Sequence, residues 1–195
     1  MIAIVDYGAG NISSVEKALA HLGAEAAVTS DPGVVAAAEK IVVPGVGHFQ
    51  RCESLNSHLR QPVLTAIERG VPFLGICVGM QWLFEGSTES PETPGASLFP
   101  GQCERFSASV KSPHVGWNRI ELIGDSRLLR GVTDGAFVYY THSYRAPLVE
   151  NTVAATRHGG RFSAAVERGN IFGVQFHPEK SGDTGLRILE NFCKR

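Results

Sequence analysis

The chain has 195 residues, 43% of them hydrophobic and 19% charged, with 18 basic and 19 acidic side chains and a formal net charge of −1. That length and apolar content describe one folded domain with a sizeable core and exclude a disordered chain. The balanced charge argues against a nucleic-acid surface, no apolar run reaches the ~18 residues of a membrane span, and Cys52, Cys77, Cys103 and Cys193 lack the CxxC spacing of zinc or thioredoxin-like sites.

Residues 2–6 are a short apolar run ending in Asp6, the pattern of a buried parallel strand. They lack the charged segment of a secretory leader, so a reduced, cytoplasmic protein is expected. Asn11 or Ser13 is expected to cap a helix whose Val15, Ala18, Leu19 and Leu22 recur three and four apart, and Gly23 to stop it. Residues 26–29 and 40–44 read as the second and third strands. A helix is expected over 62–69, a strand from 71 into Cys77, and a helix over 80–84. Residues 86–100, rich in Ser, Thr, Glu and Pro, read as a surface loop and not as a domain boundary. Runs at 136–140, 152–155, 162–166 and 171–174 follow in quick succession and predict an antiparallel or mixed extension of the sheet. A last helix over 185–193 carries Leu186, Leu189 and Phe192 on one face. There is no internal repeat. The strand–helix alternation of the first half predicts an α/β fold, with a mostly parallel sheet flanked by helices in a single domain over 1–195.

Two motifs carry chemistry. Gly75-Ile76-Cys77-Val78-Gly79 puts a thiol at the apex of a strand, a sharp turn and a helix. Gly two residues to either side suits a nucleophile elbow, whose tight backbone leaves no room for side chains. The helix start adds positive dipole and free N–H groups, which favour the thiolate. Gln175-Phe176-His177-Pro178-Glu179 ends another apolar run and offers a base and a carboxylate. Cys, His and Glu are the parts of a nucleophilic triad. Taken singly, each motif has a plainer reading: a Cys between Ile76 and Val78 suits a small core position, and His-Pro-Glu suits a turn. Gly8-Ala9-Gly10-Asn11 follows a strand but lacks the third Gly of a dinucleotide fingerprint, and no phosphate-binding loop is present.

Asp6-Tyr7-Gly8-Ala9-Gly10-Asn11, Pro44-Gly45-Val46-Gly47, Gly75-Ile76-Cys77-Val78-Gly79-Met80-Gln81, Gly116-Trp117-Asn118, Tyr140-Thr141-His142-Ser143-Tyr144-Arg145 and Gly173 to Ser181 occur in this order. Together they resemble the class I (triad) glutamine amidotransferases, of flavodoxin-like fold. Among these the chain is most similar to the amidotransferase subunits of imidazole glycerol phosphate synthase, in histidine biosynthesis. Tyr-Gly-Ala-Gly-Asn, Gly-Trp-Asn and the Met after Cys-Val-Gly narrow the likeness; other branches usually carry His there.

The resemblance implies Cys77 as nucleophile, His177 as general base and Glu179 as its orienting carboxylate. It implies oxyanion donors at Val46 and Val78. Gly47, Gln81, Glu89, Ser143 and Tyr144 would hold glutamine. It also implies a (β/α)₈-barrel cyclase as partner in a heterodimer, met by Asn11, Trp117, Tyr139 and Lys180, to which the released ammonia passes to form imidazole glycerol phosphate and AICAR. No cofactor or metal is implied. His142 is a weaker candidate base than His177, which has its own carboxylate; His48, His114 and His158 read as surface or structural. Two alternatives stay open: another triad glutaminase subunit, such as that of pyridoxal 5′-phosphate synthase, and a catalytically silent interaction subunit on the same fold.

Overall fold

The computed structural model describes residues 1–194; Arg195, the last residue of the expected span, lies outside them. β1 (Ile2–Val5), α1 (Ile12–His21), β2 (Ala26–Thr29), α2 (Pro32–Ala37) and β3 (Lys40–Val43) alternate along the first part of the chain. A helical stretch then changes character: a 3₁₀ turn at Phe49–Arg51, α3 (Cys52–Ser54), a π turn at Leu55–Leu59 and α4 (Arg60–Glu68). β4 (Phe73–Ile76) and α5 (Val78–Gln81) follow. The remainder is rich in strands: β5 (Gly86–Ser87), β6 (Gln102–Arg105), β7 (His114–Arg119), β8 (Glu121–Leu122), β9 (Phe137–His142), β10 (Tyr144–Arg145), β11 (Thr152–Arg157), β12 (Arg161–Arg168) and β13 (Ile171–Val174). A 3₁₀ turn at Pro178–Lys180 leads into α6 (Gly182–Cys193).

The main sheet runs β2-β1-β3-β4-β13-β12-β11-β8. Its first five strands are parallel and its last three are joined antiparallel. β1, β3, β4 and β13 are buried along their whole length, as strands covered on both faces must be. Val43 pairs with Gly75 and Val174 with Ile76. The C-terminal ends of β3, β4 and β13 therefore lie side by side, and the segments that follow them, 44–47, Cys77 and His177, meet at one sheet edge. In open α/β sheets that edge is where ligands bind.

Several expectations change in detail. β9 lies outside the main sheet, in a two-stranded ribbon with β7. Its burial alternates along the strand, leaving one face wet, whereas β11 and β12 are buried through most of their length. The helix expected over 80–84 is one turn, Val78–Gln81. It stops because the carbonyls of Trp82, Leu83 and Phe84 are taken by the amides of Ala96, Leu98 and Ser97. The same bonds pull the expected surface loop inward, and Gly86, Ser87, Thr93, Ala96 and Phe99 are buried. In α6, Ile188 joins Leu189 and Phe192 in the core while Leu186 is half-buried. Gly23 does end the first helical segment, at φ +71°. Asn11, however, makes no side-chain cap; its amide is used elsewhere. No described helix is long and apolar enough to cross a membrane.

Candidate active site

β4 delivers Cys77 to a left-handed backbone, φ +52° and ψ −106°. That region costs a residue with a Cβ about 1–3 kcal/mol, so the surrounding structure must impose it. Cys77 N–H donates to the Val174 carbonyl at 2.8 Å, and the Cys77 carbonyl accepts from Gln81 N–H at 3.0 Å. The flanking glycines have separate reasons. A Cβ on Gly75 would sit 2.4 Å from the Gly79 carbonyl oxygen, and one on Gly79 would sit 1.9 Å from that of Val43. Gly79 thus lets the elbow rest on β3. Gly45 is wedged too, its would-be Cβ 2.6 Å from Val78, whereas Gly47 has φ +110° with open space around it.

His177 and Glu179 come from the end of β13. His177 Nδ1 lies 2.9 Å from Glu179 Oε1, and both side chains are buried. The carboxylate can only accept, so Nδ1 carries the hydrogen and leaves Nε2 for the reaction. Asn11 donates Nδ2–H to the same Oε1 at 3.2 Å, tying α1 to this pair. His177 N–H donates to the Tyr139 carbonyl at 2.9 Å. Burial pulls the imidazole pKa down. The charge of Cys77 and a hydrogen bond to it, then the hydrogen bond and charge of Glu179, more than reverse this and raise it to about 10. Nε2 otherwise has no regular partner among the described residues. The site therefore favours an imidazolium next to the sulfur.

Cys77 opens into a cavity of about 240 Å³, small beside the ~300–1,000 Å³ of sites for drug-sized ligands and suited to an amino acid. Every residue expected to hold glutamine or its oxyanion lines it: Val46, Gly47, Val78, Gln81, Glu89, Ser143 and Tyr144. Glu89 Oε2 accepts from Phe49 N–H at 2.8 Å, which orients this carboxylate. Gln81 donates Nε2–H to the Tyr144 carbonyl at 2.9 Å. Trp117, Tyr139 and Lys180 are not brought into this cavity. Trp117 packs edge-on against Tyr139 at 6.0 Å, and Lys180 Nζ lies 5.9 Å from the Tyr139 ring.

The cavity also includes Pro113, Thr141 and His142. Sequence reasoning set His142 aside; here it is a buried neutral ring, donating Nδ1–H to the Tyr144 carbonyl at 2.7 Å, and burial first of all lowers its pKa to about 3. Its Nδ1 faces that carbonyl and its Nε2 faces His114 Nδ1 at 3.1 Å, so neither nitrogen is offered to the sulfur. The sequence assigns Gln175 no role, yet its Nε2 lies 3.6 Å from Cys77 Sγ. Its position two residues before His177 was the available signal, since residues i and i+2 of an extended segment share a side. Among the described residues no group of three or more His, Cys, Asp or Glu could hold a metal ion.

Residues 3–195 match the family model described as glutamine amidotransferase class-I. The chain is 47% identical over 195 residues to the imidazole glycerol phosphate synthase subunit HisH of Methanothermobacter thermautotrophicus, covering 100% of this chain and 98% of that one. It is 47% identical over 198 residues to the protein of the same name from Thermococcus kodakarensis, covering 98% of each. Among solved structures, a glutamine amidotransferase superposes with a TM-score of 0.76 at 21% identity, covering 98% of this chain and 99% of that one. The structure of PurLQS from Thermotoga maritima gives 0.78 at 20%, covering 99% and 97%. At those identities the structures speak for the fold alone. The chain belongs to the class I glutamine amidotransferases, among the imidazole glycerol phosphate synthase HisH subunits.

Proposed function

We propose that the chain hydrolyses glutamine to glutamate and ammonia with a Cys77–His177–Glu179 triad, and hands the ammonia to a (β/α)₈-barrel cyclase. The observation that carries this reading is the strained elbow of Cys77, opening into a small cavity beside a buried His–Glu pair. With the Cys77 proton already held on His177 Nε2, the sulfur attacks the side-chain carbonyl of glutamine. The C–N bond breaks as His177 returns the proton to nitrogen, releasing ammonia and leaving a thioester. Water then attacks the thioester, His177 takes its proton, and the C–S bond breaks to give glutamate and the free cysteine. Glu179 holds the imidazole's tautomer throughout.

The oxyanion is stabilised by Val78 N–H, next after the nucleophile, and by Val46 N–H from the 44–47 segment. Gly47, Gln81, Glu89, Ser143 and Tyr144 hold the amino-acid end of the substrate, with the Glu89 carboxylate matching the α-ammonium. Ammonia set free in water near neutrality would be protonated and lose its nucleophilicity, so a consuming partner must sit close. The outer face of β7 and β9 suits one. Val115 and Trp117 are each 55% exposed and Phe137 49%. Their apolar surface is continuous with Tyr139 and the neighbouring Lys180, while Asn11 links the adjacent α1 to the triad. Exposed apolar patches that include a Trp mark interaction sites. The cyclase makes imidazole glycerol phosphate and AICAR from the ammonia, in the cytoplasm, and the chain serves as one half of a heterodimer folded as one domain.

A glutamine-analogue electrophile tests the assignment. It should label Cys77 and no other cysteine, faster once a purified barrel cyclase is added, and glutamate release should rise in parallel. Labelling elsewhere, or none, contradicts it.

A further inference from the structure

We propose that Gln175 is a positioning residue for the nucleophile: its carboxamide donates to Cys77 Sγ and is held in that orientation by Gln81, which shares the Tyr144 carbonyl with a hydrogen-bonded chain starting at Asn118 on β7. The inference rests on the reading of Cys77 as nucleophile.

The chain has two ends whose polarity is fixed. The Arg157 carbonyl can only accept, so the Asn118 atom 3.2 Å from it is the amide nitrogen. The same nitrogen lies 3.1 Å from His114 Nε2, which therefore accepts, and the His114 hydrogen sits on Nδ1. Nδ1 lies 3.1 Å from His142 Nε2. At the other end the Tyr144 carbonyl, again only an acceptor, lies 2.7 Å from His142 Nδ1. His142 must carry its hydrogen there and accept at Nε2. Both ends assign the same tautomers. The Tyr144 carbonyl also accepts from Gln81 Nε2 at 2.9 Å, and that amide gives its second hydrogen to Gln175 Oε1 at 3.2 Å. Gln175 is left with Nε2 facing the sulfur at 3.6 Å.

A protonated ring would break this order, because His142 Nε2–H would then face His114 Nδ1–H. Burial, the larger cause at each ring, keeps both neutral, lowering His114 to about 4 and His142 to about 3. The titratable neighbours whose charges bear on Cys77 are His177, Tyr7 and Cys103. Gln175 adds a donor of fixed direction without adding charge. An N–H group bonds weakly to a thiol and more strongly to a thiolate, so it favours the ionised form and aims it. Through Oε1 the same residue fixes Gln81 in the cavity wall.

The pH profile of Cys77 alkylation by iodoacetamide, followed on the Cys77 peptide in the full chain, tests this. Gln175→Met should move the midpoint up by about one pH unit, an about tenfold loss of thiolate at a given pH. In the complex with the cyclase it should lower kcat and raise KM for glutamine. Gln81→Leu, which leaves Gln175 Oε1 without its donor, should move the midpoint the same way by less. An unmoved midpoint in whichever of the two variants folds overturns the inference. His177→Asn separates the two claims. If it moves the midpoint and Gln175→Met does not, the positioning role fails alone; if neither moves it, the triad reading fails with it.

Discussion

His177 shows how burial and pairing compete within one side chain. Burial alone would neutralise it, but the sulfur and the Glu179 carboxylate hold it charged, with the pKa raised to about 10. A raised folded-state value means that the unfolded chain, titrating near 6.5, loses its proton first as pH rises. The stability that the pairing supplies is therefore complete below about pH 6.5 and is lost as pH climbs towards 10. Unfolding free energies from urea titrations between pH 6 and 10 should fall in the wild type by at most about 1.4 kcal/mol per pH unit from this source, and less in His177→Asn; equal slopes would contradict the pairing. In the reaction the two partners differ. Removing the base should cost several orders of magnitude in kcat and removing the orienting carboxylate roughly tens-fold less, because the third member of a triad acts only through the second. Kinetics of His177→Asn and Glu179→Gln check this, and a silent Glu179→Gln would reduce the carboxylate to a turn residue. Cys77, His177 and Glu179 stand out as candidates in the sequence because glycine spacing and strand ends mark them locally. Gln175 does not, because its orientation depends on Gln81, 94 residues away in sequence.

At the level of elements, the site exists because β3, β4 and β13 end together and because Gly79 lets the elbow lie against β3. Gly79→Ala should cost about 3 kcal/mol, since the new methyl meets the backbone carbonyl of Val43, which cannot step aside as a side chain would. Gly124→Ala, with nothing within 4 Å, should stay within about 0.5 kcal/mol. Denaturant unfolding of the two variants measures the contrast, and equal midpoints would mean that the elbow is not tightly seated. The parallel strands were readable as unbroken apolar runs bounded by Gly, Asp or Pro. β7 was not: its burial alternates around Gly116, Trp117 and Asn118, and half of its side chains face out. α2 begins Pro-Gly, and residues 49–59 pass through 3₁₀, α and π turns, so neither offers a steady 3.6-residue period. The folding-in of 86–100 depends on carbonyls of 82–84 that no local pattern reveals.

Across the whole molecule, β9 of the exposed ribbon and the 44–47 segment both line the cavity, and His177 N–H donates to the Tyr139 carbonyl. A partner on the face proposed for it would thus be one hydrogen bond from His177. Gly45 and Gly47 flank Val46, and one absent oxyanion donor is worth roughly 10²–10³ in rate. The isolated chain should therefore hydrolyse glutamine slowly and gain at least about a hundredfold with cyclase that holds its ligand, the scale of that one donor; full activity of the free chain would remove the need for gating and leave the triad untouched. The central claim, that Cys77 serves glutamine hydrolysis and nothing downstream, is tested most directly in the reconstituted complex with Cys77→Ala, following synthesis from glutamine and from ammonium salt side by side. Glutamine-dependent synthesis and glutamate release should vanish while ammonia-dependent synthesis continues at the wild-type rate; glutamate release near the wild-type rate would contradict the account.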